Sequence, residues 1–191
     1  MPVGARISAT IDSDHVVEVV AAGVDTESGA PFLAMELLSG EDLAQYLTRR
    51  GALAPAEVRE ILAQLCHGVG AAHARGIVHR DLKPENVFLA RSRRLGVDVH
   101  VKVLDFGIAK SLGGLTSGAT QSMGTPLWMA PEQSDARARV SPATDVWAIG
   151  LIAFRALAGA YYWNAAVDSD SSVHALMREV ILDDLDAPTV R

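Results

Sequence analysis

The chain has 191 residues, with 17 lysines and arginines against 23 aspartates and glutamates, and 49% of it is apolar. That length and apolar share suffice for one domain with a core, and they exclude disorder as the dominant state. A formal charge of -6, with the two signs interspersed, provides no basic stripe to neutralise a phosphodiester backbone, so nucleic acid is not an expected partner. Cys66 is the only cysteine and closes no intrachain disulfide. It falls in an apolar helical pattern and is predicted to be a small core residue in a reducing compartment. No apolar run follows a basic N-terminal start, which makes the cytoplasm the expected location.

In chain order, His15 to Val20 and Pro31 to Leu37 are apolar, β-branched-rich runs, and turn residues fill Gly23 to Gly29 between them. This predicts a β-hairpin. Two strands alone are marginal, so a larger sheet is expected, with part of it upstream of this chain. After Ser39-Gly40 the apolar period lengthens from two to about 3.6 residues. Glu41 to Arg50 is predicted as a short helix ended by Gly51. Pro55 opens a long amphipathic helix with Val58, Ile61, Leu62, Leu65, Cys66 and Val69 on one face, closed near Arg75 by Gly76. Val87 to Ala90 and Val99 to Leu104 are predicted strands, with Arg91-Ser92-Arg93-Arg94 at a solvated tip between them. The Gly/Ser/Thr-rich stretch from Gly113 to Gly124 is expected to be a mobile loop. Val146 to Trp163 approaches the length of a membrane span, but Arg155 interrupts it and Gly150 and Gly159 weaken it. It is predicted instead as a helix over about 143–159 buried on all sides, with no membrane span in this chain. A further helix is expected from about Ser171 to Leu182.

The chemistry concentrates in His79-Arg80-Asp81-Leu82-Lys83-Pro84-Glu85-Asn86, in a loop between the long helix and a strand. Asp81 can accept a hydroxyl proton, Lys83 can hold a phosphoryl oxygen, and Asn86 can ligate a hard cation through oxygen. Asp105-Phe106-Gly107 follows the strand Val101 to Leu104 and adds a second carboxylate at a strand end. Gly124-Thr125-Pro126, Met129-Ala130-Pro131-Glu132 and Asp145-Val146-Trp147-Ala148-Ile149-Gly150 come next, in that order.

With these motifs in this order, the chain resembles the eukaryotic-type serine/threonine protein kinases. The resemblance implies an α+β fold: a mostly helical large lobe over residues 39–191, incomplete at its C-terminal end, and a remnant small-lobe hairpin with the hinge over residues 1–38. It implies ATP and Mg²⁺ as cofactors and a Ser/Thr-bearing protein as substrate. Asp81 would be the catalytic base, Lys83 would stabilise the transferred phosphoryl group, and Asn86 and Asp105 would be the metal ligands. Met35 falls at the gatekeeper position. Backbone groups of Glu36 and Leu38 would meet adenine, Asp42 would reach the ribose, and Phe88 would form the adenine floor. His79, Gly107, Thr125, Glu132 and Asp145 would be structural, with Asp145 holding the catalytic-loop backbone, Thr125 contacting Asp81 and Lys83, and Glu132 pairing with an arginine beyond Arg191. Arg80 would pair with a phosphate on the loop that follows Asp105, for which Thr120 and Ser122 are the preferred acceptors.

The chain also departs from that pattern. Its three lysines, Lys83, Lys102 and Lys110, all lie after Met35, whereas the family has a strand lysine before the hinge. The position of that lysine's glutamate partner falls on Gly4. Gly68-Val69-Gly70 with His73 is the nearest approach to a Gly-rich phosphate loop, and it lies inside the long helix. Two readings follow: part of an active kinase domain, or a non-catalytic kinase-like interaction module. The joint presence of Asp81, Asn86 and Asp105 favours the first.

Overall fold

The computed structural model describes residues 11–91, 99–106, 126–135, 137–166 and 172–187. Strands β1 (Val19–Val24) and β2 (Pro31–Met35) form an antiparallel hairpin in which Val19 pairs with Met35 and Val24 with Pro31, with an irregularity between Val19 and Ala21. Asp25 closes the turn, its Oδ1 accepting the Glu27 and Ser28 N–H groups and the Ser28 hydroxyl, and Gly29 takes a φ of 68° that suits glycine. A second sheet contains β3 (Gly40–Asp42), β4 (Val87–Arg91) and β5 (Val99–Val103), antiparallel in that order.

The hairpin begins four residues later than the apolar run that predicted it. Val16 and Val17 are each only 3% exposed and lie alongside β5, where the Val17 N–H donates to Val103 O at 3.0 Å and the Val103 N–H donates to His15 O at 2.8 Å. This approach needs Gly68, since a Cβ there would stand 2.7 Å from His15 O. Two consecutive valines are therefore buried by a sandwich between a strand and a helix, which strand periodicity does not anticipate.

Helix α1 (Leu43–Arg50) is N-capped by Asp42, whose Oδ1 accepts the Gln45 N–H at 2.8 Å, and it ends at Gly51 with φ 70°. Helix α2 (Pro55–His73) has proline in its first turn and packs against β5 and α3 (Pro142–Ala158). Its buried stripe runs through Val58, Ile61, Leu65, Gly68, Val69 and Ala72. Cys66 is exposed, not a core residue: one position past Leu65 is a rotation of about 100°, which carries it off that stripe.

Helix α3 starts with a Ser141 cap and Pro142 and ends at Gly159 in the left-handed conformation. Thr144, Asp145, Ala148, Leu151, Ile152 and Ala156 face inward, but Val146 is 61% and Leu157 48% exposed. The expectation of a helix buried on every side is corrected: its apolar composition conceals one wet face, which composition alone does not reveal. No helix among the described residues is long and apolar enough to cross a membrane. Helix α4 (Val173–Leu182) follows, and the carboxylate of its Glu179 accepts the N–H groups of Asn164 and Ala165. The core gathers Leu43, Leu65 and Ile152 of the helices with Val87, Val101 and Val103 of the second sheet. The architecture is a protein-kinase-like α+β fold dominated by helices.

Candidate active site

The loop between α2 and β4 is held from below by one carboxylate. Asp145, 1% exposed in the first turn of α3, accepts three hydrogen bonds: from the His79 N–H at 2.8 Å, the Arg80 N–H at 2.9 Å and His73 Nε2 at 2.7 Å. A buried carboxylate is tolerable only when its oxygens are satisfied in this way. Arg80 sits at φ 68° and Asp105 at φ 56°; left-handed geometry at a non-glycine residue costs about 1–3 kcal/mol and persists only where neighbours hold it. Besides Asp145, Gln133 holds Arg80, its Nε2 donating to Arg80 O at 2.7 Å while its Oε1 accepts the Ala130 N–H.

His79 is fully buried. Its Nε2–H donates to Leu104 O at 2.8 Å, which leaves Nδ1 to accept the Asp81 N–H at 3.3 Å. One neutral ring thus ties the end of β5 to the backbone of Asp81. Burial pushes the His79 pKa down from its ordinary value, against the opposing pull of the Leu104 carbonyl and of nearby aspartates. Phe106, 1% exposed, packs on the same ring with centroids 4.8 Å apart.

Asp81 and Lys83 point outward together, with Nζ 3.3 Å from Oδ2. Pro84–Asn86 forms a single 3₁₀ turn into β4. Asn86 Nδ2 donates to Asp81 O at 2.8 Å, so its Oδ1 is the atom left for a cation. The Leu104 N–H donates to Asn86 O at 2.9 Å, which sets Asp105 one residue beyond the point where β5 meets Asn86. Asp81, Asn86 and Asp105 are therefore brought toward one end of the second sheet.

The other candidate residues stand along the same sheet. Phe88 of β4 pairs with Asp42 of β3 on one side and Lys102 of β5 on the other. Asp42 spends one oxygen on capping α1. Met35 ends β2 and is 39% exposed, and Glu36 to Leu38 lead from it toward β3. Glu132 Oε1 accepts the Thr144 hydroxyl at 2.6 Å, a partner within this chain in addition to the arginine expected beyond it. Gly107, Thr120, Ser122 and Thr125 lie outside the described residues, as does the loop from Gly113 to Gly124.

Sequence reasoning gave no role to His73, Gln133, Thr144 or Lys102. His73 carried a signal, since it lies four residues after Val69 at the end of the inward face of α2. Gln133 and Lys102 gave none, because Arg80 and Glu36, which they hold, lie 53 and 66 positions away, and the Glu132 partner of Thr144 is 12 positions away.

Among the described residues no group of three or more His, Cys, Asp or Glu side chains is arranged to hold a metal. A site of one carboxylate and one amide oxygen suits Mg²⁺, which keeps several waters and takes few protein ligands. This fold is that of a protein kinase domain. The chain belongs to the protein kinase family, whose domain pattern matches residues 5–189.

Its similarity extends to bacterial serine/threonine-protein kinases. Pkn1 of Myxococcus xanthus is 42% identical over 163 residues, which is 84% of this chain and 22% of that protein. Serine/threonine-protein kinase pkn3 of the same organism is 35% identical over 88% of this chain and 30% of its own length. The crystal structure of the PknI kinase domain of Mycobacterium tuberculosis aligns with a TM-score of 0.65 at 28% identity, over 92% of this chain and 64% of that one. The chain thus spans less than a third of the length of each of these two curated relatives.

Proposed function

We propose that this chain is the catalytic part of a serine/threonine kinase that transfers the γ-phosphate of ATP to hydroxyls of a protein substrate. The observation that carries this reading is the chain of bonds Asp81–Asn86–Leu104, which brings a candidate base and two candidate metal ligands to one sheet end. Asp81 accepts the proton of the substrate hydroxyl as its oxygen bonds to the γ-phosphorus and the bond to ADP breaks. Lys83, 3.3 Å from Asp81, offsets charge on the transferred group. Asn86 Oδ1 and the Asp105 carboxylate would hold Mg²⁺, which neutralises charge on the phosphate oxygens. His79 is a positioning residue, since a buried ring with both nitrogens engaged on backbone groups has no access to a substrate proton.

In the same reading the purine lies between Phe88 and the Glu36–Leu38 backbone beside Met35, and the second oxygen of Asp42 meets the ribose. The small lobe and hinge would fall within residues 1–38 and the large lobe within residues 39–191. Arg80 would pair with a phosphate carried on Thr120 or Ser122, and Thr125 would contact Asp81 and Lys83. A reducing cytoplasmic setting, where ATP is plentiful, completes the assignment.

The experiment is transfer of labelled γ-phosphate from Mg-ATP to a generic protein acceptor, followed by identification of the phosphorylated residue. Turnover of the chain by itself is expected below the ordinary range of about 1–100 per second, because no lysine stands before the hinge. Label on serine or threonine that disappears in Asp81→Asn supports the assignment. Transfer that survives Asp81→Asn overturns it.

A further inference from the structure

Lys102 has no part in the chemistry described above. It stands opposite Phe88, which stands opposite Asp42, so the three side chains share one face of the sheet; Val101 and Val103, on the other face, are fully buried. The ammonium must be satisfied where it lies. Lys102 Nζ is 2.6 Å from Glu36 Oε1, with only 15% and 28% of the two side chains exposed, and 3.4 Å from Val16 O. The same Glu36 oxygen accepts the Glu18 N–H at 2.9 Å, and the Glu36 N–H donates to Glu18 O at 3.0 Å. Burial would raise the Glu36 carboxyl, but Lys102 and the Glu18 N–H outweigh it and hold the pKa below its ordinary value. Three residues on, Ser39 O accepts the Arg91 N–H at 2.8 Å. The segment between has no regular structure, and Leu37 in it is 99% exposed.

The 36–39 segment is thus pinned at Glu36 to β5 and at Ser39 to β4, the strand that carries Phe88. We infer that Lys102, acting through Glu36, is a positioning residue that sets the height of this segment above Phe88, and so the width and selectivity of the purine slot. The inference rests on the assignment of Glu36, Leu38 and Phe88 to the nucleotide. A charged pair suits this task because it ties a segment without regular structure directly to β5.

The test is equilibrium binding to the purified chain of Mg-ATP, Mg-GTP and adenosine, which has no phosphate. Lys102→Met is expected to weaken adenosine and Mg-ATP by the same factor, about fivefold, and to narrow the ratio between ATP and GTP. Lys102→Arg should restore much of the loss. Lys102→Met with Glu36→Gln together should bind no more weakly than Lys102→Met alone, since the pair acts as a unit. Should Lys102→Met fail to fold, Glu36→Gln carries the same comparison, because it keeps an acceptor for the Glu18 N–H and removes only the charge. A folded variant that binds adenosine like the wild type, or that loses affinity for ATP alone, overturns the inference. A wild-type chain that binds neither adenosine nor Mg-ATP overturns the nucleotide assignment itself, and the inference with it.

Discussion

The loop between α2 and β4 and the β1–β2 hairpin are held in opposite ways. The loop from His79 to Asn86 has little regular structure, yet its backbone is tied to α3, β5 and the Gln133 turn by side chains that are buried or locked. The hairpin is regular, yet none of its strand residues is buried, and Val20 and Phe32 are 69% and 49% exposed. Its attachments are Val16 and Val17 beside β5 and the Lys102–Glu36 pair. Regular hydrogen bonding therefore does not measure how firmly a segment is placed. Rigidity here follows buried, satisfied polar groups, and these are concentrated around the loop to which the proposed transfer is assigned.

The sharpest way to break this contrast is to remove its central acceptor. Asp145→Ala leaves two backbone N–H groups and His73 without their partner and releases the strained Arg80, and is expected to lower the unfolding free energy by about 3 kcal/mol or more in urea titrations. Leu65→Ala, at a fully buried core position, should cost about 2–5 kcal/mol in the same assay. Phe32→Ala, in the hairpin, should cost under about 1 kcal/mol. If Phe32→Ala were as damaging as Asp145→Ala, the two regions would not differ as described.

Acid should separate the regions more gently. His79 lies in the loop, and His15 stands at the root of the hairpin against the rings of His67 and His100. Both have pKa values below the ordinary 6.5, chiefly through burial. His67 and His100 add repulsion at His15, while Asp14 and the Val101 carbonyl oppose the shift. Once unfolded, each takes up a proton near 6.5, so the unfolded state binds more protons as the pH falls. Their contribution is complete above about 6.5 and is lost as the pH drops toward the folded values. Thermal melts from about pH 8 to about pH 5.5 should show falling stability, and His15→Asn should flatten that slope. An unchanged slope would place the sensitivity elsewhere.

How legible each part was depends on the range of the interaction that decides it. Asp81, Lys83 and Asn86 could be nominated because the proposed transfer chemistry calls for particular groups at short offsets on one loop. Strands β4 and β5, the Gly51 and Gly159 helix ends and the Pro55 start were readable because local backbone geometry decides them. The outward turn of Cys66 and the wet face of α3 were not, since apolar residues occur on both sides of those helices. Nor was the burial of Val16 and Val17, which depends on Gly68 admitting the chain. The bonds His73–Asp145 and Lys102–Glu36 join residues 72 and 66 positions apart, and no spacing rule reaches that far.

The measurement that tests the division of roles most directly is the affinity for ATP with and without Mg²⁺ in the wild type, Asp81→Asn and Asp105→Asn. Asp105 is assigned to the metal and Asp81 to the substrate hydroxyl. Asp105→Asn should therefore lose most of the gain in affinity that Mg²⁺ confers, while Asp81→Asn keeps it. Equal loss in both variants, or a full Mg²⁺ effect in Asp105→Asn, would contradict the account.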